Sequence, residues 1–138
     1  MNTRERDLYI VKLLGEKVEG KDSSLNLSYE RLGDSGVAFL ARAKNLSHVT
    51  HLDLSWNEIT DVGVQELVKA TSLTNLLSLN LDSNRIGCAG ARALAQSVHF
   101  PSLKMISLTH NRVGDEGALT LVKSANLKNL ETLGLELN

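Results

Sequence analysis

Asn57, Asn84, Asn111 and Asn138 stand at one fixed interval, 27 residues (84−57), and the same interval recurs in four other columns. Gly36, Gly63, Gly90 and Gly117 keep it, as do Leu40, Leu67, Leu94 and Leu121. A fourth column is Leu25, Leu52, Leu79, Ile106 and Leu133; a fifth is Leu27, Leu54, Leu81, Leu108 and Leu135. A chain with such a period cannot fold around a single centre. Each period has to be one structural unit that buries its apolar face against the units before and after it.

Within a unit, the runs VTHLDLSWNEI, LLSLNLDSNRI and LKMISLTHNRV share the pattern L-x-x-L-x-L-x-x-N-x-L. The alternation Leu52-x-Leu54 reads as a short strand with one buried face. Val64, Leu67, Val68 and Thr71 fall at i, i+3, i+4 and i+7, one face of a helix. Asp34, Asp61 and Asp115 stand where a carboxylate would cap that helix, and Cys88 holds the same place as a weaker cap. The glycine column is expected to allow a tight strand-to-helix turn. The asparagines are expected inside the loop, bonded to the backbone of neighbouring turns, because a buried amide needs partners. Ile10, Leu13 and Leu14 lie one period before Val37, Leu40 and Ala41. This predicts a helix over residues 4–15, with Arg4, Glu5, Arg6 and Asp7 on its solvated side. Residues 1–22 then form a helical N-terminal cap, a degenerate repeat, with Glu30 replacing the asparagine of the first full unit.

The recurring pattern is the leucine-rich-repeat signature, and the chain resembles that family in its ribonuclease-inhibitor-like form with long strand-and-helix repeats. The resemblance runs from about Ser23 to Asn138. It implies an α/β solenoid, a short horseshoe with a parallel β-sheet on the concave face and helices on the convex face. Residues 23–138 are then four 27-residue repeats and a final partial repeat. The chain ends part-way through that fifth repeat, so the expectation is either a continuing natural protein or a terminal strand edge open to self-association. A monomer is the default reading.

Composition narrows the function. The net charge of −1 lacks the electrostatic footprint of a nucleic-acid or membrane-surface binder. No apolar run approaches the ~20 residues that span a bilayer. The charged start does not read as a signal peptide, and the single cysteine, Cys88, allows no internal disulfide. A cytoplasmic location is expected, although specialised secretion routes leave no trace in a sequence.

Function is then expected in the columns that the repeat does not dictate. Ser24, Asn26 and Ser28, His51, Asp53 and Ser55, Ser78, Asn80 and Asp82, Met105, Ser107 and Thr109, and Thr132, Gly134 and Glu136 point away from the buried leucines and pave a polar, mildly acidic sheet. Past each strand comes Tyr29, Trp56, Ser83, His110 or Leu137, and beyond the asparagines a mostly basic edge, Arg31, Glu58, Arg85 and Arg112. Exposed aromatic residues are common interface anchors. The candidate partner-binding residues are Tyr29, Trp56, His51, Asp53, Asn80, Asp82, His110, Arg85 and Arg112. His51 and His110 lie two repeats apart, about 10 Å at strand spacing, too far to share a metal. Asp53 and Asp82 could face each other as an acid/base pair, but an open sheet encloses no reactant. Arg92, one helical turn after Cys88, is no proton acceptor. The reading is a protein–protein interaction module with no catalytic residue, cofactor, metal, nucleic-acid or membrane partner. The alternatives are a GTPase-activating or inhibitor-like regulator of an enzyme, or a fragment of a larger receptor or bacterial effector.

Overall fold

The leucine columns become the interior of a stack in which every unit contributes one short strand and one helix. The computed structural model describes residues 2–138. It runs α1 (Thr3–Val18), β1 (Ser24–Asn26), α2 (Gly33–Ala41), β2 (His51–Asp53), α3 (Asp61–Leu67), β3 (Ser78–Asn80), α4 (Cys88–Ala95), β4 (Met105–Ser107), α5 (Gly114–Val122) and β5 (Thr132–Gly134). These strands form one parallel sheet in chain order. Leu25 pairs with Leu52, Leu52 with Leu79, Leu79 with Ile106 and Ile106 with Leu133, so the sequence period is also the strand register. Parallel strands need a crossover, and the helix of each unit supplies it. Leu52, Leu54, Leu67, Leu79, Leu81 and Leu94 are among the fully buried side chains of a single continuous core.

The asparagine column holds the loops as the sequence suggested. Asn84 Oδ1 accepts from the backbone N–H groups of Asn57 and Ile59 at 3.0 Å each. Its Nδ2 donates to the carbonyls of Leu54 and Leu81, also at 3.0 Å. Asn57 does the same one unit earlier, accepting from Glu30 and Leu32 and donating to Leu27 and Ser55. Each amide therefore satisfies groups in its own loop and in the preceding one.

Other details depart from the expected pattern. Asp34 and Asp61 lie inside or at the start of their helices and cap the next one. Asp34 Oδ1 accepts from the N–H groups of Thr60 (2.8 Å) and Gly63 (2.9 Å), and Asp61 Oδ1 from Gly87 (2.7 Å) and Gly90 (2.8 Å). Gly63 and Gly90 serve this contact from inside their helices rather than forming a turn, and Gly36 and Gly117 make room for aliphatic neighbours instead. A Cβ on Gly90 would sit 2.7 Å from Asp61 Oδ1 and 2.6 Å from Ile86 Cγ2. Cys88 occupies the aspartate column of the third unit and has no carboxylate to offer the fourth. Thr71 is exposed, because α3 ends at Leu67. The chain there tightens through bonds from Lys69 N–H to the Glu66 carbonyl and from Ala70 N–H to the Leu67 carbonyl, and Ala70 is buried in place of Thr71.

At the other end α1 is longer than expected, because Val18 continues the buried face of Ile10 and Leu14. Asn2 and Glu5 form a reciprocal capping box. Arg4, Glu5 and Asp7 are exposed, but Arg6 is half-buried and its Nη2 donates to the Leu32 carbonyl at 3.4 Å. Glu30 ties α1 to the first unit: its carboxylate accepts the Tyr9 hydroxyl at 2.8 Å and lies 3.7 Å from Lys17 Nζ.

Because each unit leans on its neighbours, a core truncation anywhere in the stack should weaken the whole domain. Leu67→Ala and Leu94→Ala are each expected to lower stability by roughly 2–5 kcal/mol in urea denaturation. Unchanged midpoints would place those side chains outside the core.

Candidate functional site

The outward side chains of the strands are less free than their position in the repeat implies. Asn26 Oδ1 accepts from Ser28 N–H (2.9 Å) and Oγ (2.7 Å). Asp53 Oδ1 accepts from Ser55 N–H (2.9 Å) and Oγ (2.7 Å), and Asn80 Oδ1 from Asp82 N–H (2.9 Å). A side-chain oxygen that binds the N–H two residues on is an Asx turn, which ends an extended segment. This column therefore closes the strands as well as facing solvent. It also draws Ser55 inward, so that residue is buried and does not pave the sheet.

In the fourth unit Ser107 stands at the Asx position, and Asp82 reaches across from the preceding loop to substitute. Its Oδ1 accepts from Ser107 Oγ at 2.5 Å and from Thr109 N–H at 2.9 Å. Asp53 and Asp82, weighed above as a possible acid/base pair, are both engaged in strand closure. His51 stays exposed at the start of β2, with Nδ1 2.8 Å from Thr50 Oγ1.

The column after the strands is set by the backbone. Tyr29, Trp56, Ser83, His110 and Leu137 all take left-handed φ values, 61°, 57°, 54°, 58° and 56°. The N–H groups of Tyr29, Trp56, Ser83 and His110 donate to carbonyls of the next unit, those of Ser55, Asp82, Thr109 and Glu136. That bonding locks the turn, and the turn throws each side chain outward. Bulky residues take up this conformation at a cost, so rings are not what the backbone prefers here. Even so, Tyr29 and Trp56 stack with centroids 5.4 Å apart and planes 11° from parallel. They remain 67% and 52% exposed, so the stack does not bury them.

Beside the rings runs the charged row. Arg31, Glu58, Arg85 and Arg112 are exposed, and Arg85 Nη2 lies 3.9 Å from Glu58 Oε2, a solvated pair of little energetic weight. Tyr29, Trp56, Ser83, Arg31, Glu58 and Arg85 line a shallow recess of about 420 Å³. A second recess, about 390 Å³, continues on the far side of Tyr29 between Arg6, Tyr9, Glu30, Arg31 and Glu58. Here the hydrogen bond to Glu30, then its negative charge, then burial hold the Tyr9 hydroxyl above the usual tyrosine range.

The geometry thus gathers Tyr29, Trp56 and Arg85 around one recess. His110 and Arg112 lie further along the rim, and His51, Asp53, Asn80 and Asp82 are on the sheet side. Sequence reasoning did not single out Arg31, Glu58 and Ser83, although the period places them in the rim columns. Nothing in the pattern pointed to Tyr9, which belongs to α1 and lies outside the strand register. Among the described residues no three His, Cys, Asp or Glu side chains are placed to hold a metal ion. No helix there is long and apolar enough to cross a membrane.

A family model described as Leucine Rich repeat matches residues 45–68, 72–95 and 101–122, just over half of the chain. No curated protein matches in sequence. Among solved structures, the tropomodulin C-terminal domain from Caenorhabditis elegans superposes with a TM-score of 0.69 at 17% identity, over 92% of this chain and 82% of that one. A structure described as leiomodin-1 actin-binding site 2 gives 0.71 at 19% identity, over 88% and 76%. At such identities the likeness is one of fold.

The cross-unit role of Asp82 can be measured directly. Asp82→Ala leaves Thr109 N–H and Ser107 Oγ without their acceptor and should cost about 0.5–2 kcal/mol. Asp82→Asn keeps an acceptor oxygen and should cost less. Unchanged stability of the Asp82→Ala variant in chemical denaturation would show that the bond contributes nothing.

Proposed function

Because the chain belongs to the leucine-rich-repeat family, we propose that it is a protein-interaction module that grips a folded partner with its concave sheet and the adjacent rim. The observation that carries this reading is the Tyr29–Trp56 pair, two large rings held outward on left-handed backbone and left mostly in water. Interfaces concentrate binding energy in such aromatic and arginine side chains. The rim offers Tyr29, Trp56, His110, Arg85 and Arg112, and the sheet adds His51, Asp53, Asn80 and Asp82 as hydrogen-bonding groups at its centre. The charged row next to the carboxylates of the sheet would orient a partner of matching pattern. That a structure of like fold is described as an actin-binding site supports a protein as the class of partner, and its 19% identity carries no particular partner across. The protein acts in this reading as a cytoplasmic monomer, without cofactor and without a catalytic step.

Photo-crosslinking tests the placement. A crosslinking residue at His51 or His110 should capture a partner in cell lysate. The same residue at Val98 or Val122, 70% and 71% exposed on the helical side, should not. Capture should fall at least about fivefold in a Tyr29→Ala/Trp56→Ala variant that stays folded by circular dichroism. Capture confined to Val98 and Val122 would move the site to the helices and overturn the proposal.

A further inference from the structure

The stack of side chains along the rim has a step in it. Tyr29 covers one face of Trp56, and the next unit on the other side carries Ser83 in place of a ring. The backbone did not impose that serine. Its φ of 54° is nearly that of Trp56 at 57° and Tyr29 at 61°, so a ring would be carried there equally well. Adjacent units are spaced about 4.8 Å along a sheet, and one aromatic layer needs about 3.5–4 Å between facing carbons. Serine therefore leaves a notch one ring thick, with the free face of Trp56 as its wall. The recess of about 420 Å³, which runs along the rim from Tyr29 and Arg31 past Trp56 to Ser83 and Arg85, includes this notch. Trp56 keeps 52% of its surface exposed although one face is covered.

The notch is edged by charge of mainly one sign. Arg85 stands beside the notch, Arg31 lines the far end of the same recess and Arg112 follows in the same row. The row's one carboxylate, Glu58, is 3.9 Å from Arg85. A cationic side chain entering to stack on Trp56 would meet these guanidinium groups at close range. A carboxylate beside an entering ring would instead find two-pronged donors.

We propose that the notch over Ser83 receives one aromatic side chain of a partner protein, carried in an acidic segment whose carboxylates pair with Arg31, Arg85 and Arg112. The inference rests on the rim being the binding surface and adds the chemistry of what binds. A single-stranded nucleic acid also offers rings and negative charge. It fits less well, because strand binding draws on an extended groove of positive charge, whereas here the positive groups are three arginines in one short row interrupted by Glu58. Ser83 is the specificity-determining position: its small size admits the ring.

Trp56 is the only tryptophan of the chain, so its fluorescence reports on the notch itself, with calorimetry as a second reading. The probes are a capped peptide with one phenylalanine between aspartate and glutamate pairs, its alanine counterpart, its lysine-flanked counterpart, and oligothymidylate. The acidic phenylalanine peptide should bind saturably and less tightly in high salt, and each counterpart should bind at least about tenfold more weakly. Ser83→Tyr, which fills the notch on backbone that already accepts tyrosine at Tyr29, should weaken binding by about tenfold or more with an unchanged melting curve. Arg85→Glu is the second variant and should do the same, whereas Val98→Tyr on the helical side should bind like the wild type. Wild-type affinity in both Ser83→Tyr and Arg85→Glu, equal binding of the alanine or lysine-flanked peptide, tighter binding of oligothymidylate, or no binding of any peptide would each overturn the proposal. If capture from His51 and His110 persists in that event, only the partner chemistry is wrong. If it is lost as well, the rim reading falls with it.

Discussion

The side-chain amides of Asn57, Asn84 and Asn111 are buried in an otherwise aliphatic stack, and the loops of the solenoid depend on them. After each strand the chain turns through a left-handed residue and exposes N–H and C=O groups that no helix or sheet can pair. Water cannot reach them, and an unpaired buried backbone group costs as much as a lost hydrogen bond. Asn57 and Asn84 answer this by each accepting from two N–H groups of the preceding unit, and Asn111 accepts from Ile86 N–H. Each of the three donates to one carbonyl across the boundary and at least one in its own loop. No aliphatic residue can do so, and no second residue is required.

Around that amide the repeat has two more polar columns, of which the helix-capping one links neighbours and the sheet-side one does so only at Asp82. Asp34 and Asp61 cap the helix of the following unit, and they can approach only because Gly63 and Gly90 lack a side chain. On the sheet side Asn26, Asp53 and Asn80 close their own strands, and Asp82 closes the one that Ser107 cannot. Stability is therefore held at the boundaries between units, which is the physical content of a nearest-neighbour solenoid. The first unit is joined to α1 by Glu30, Tyr9 and Lys17 instead of by the repeat's own ladder.

The candidate site uses what those polar columns leave over. The turn fixes where the rim side chains emerge but not what they are, so one column can hold tyrosine, tryptophan, serine, histidine and leucine. That independence separates fold from recognition: changing Ser83 or Trp56 alters the surface presented to a partner while leaving the asparagine and leucine columns untouched.

The period of 27 residues, with its leucine, asparagine and glycine columns, was enough by itself to determine the stacked units, the parallel strand order and the register of Leu25, Leu52 and Leu79. Side-chain alternation and helix periodicity are local, so they can be read from spacing. The tertiary structure alone decided which carbonyls and N–H groups the polar columns meet. Asp34 looks like a cap for its own helix, yet it serves residues 26 and 29 positions later. Asp53 and Asn80 look free on the sheet, yet they end it. The Tyr29–Trp56 stack, the notch over Ser83 and the contact from Tyr9 likewise depend on how neighbouring units face one another. Spacing along one chain shows which residues share a column; the distances between columns arise only once the units are stacked.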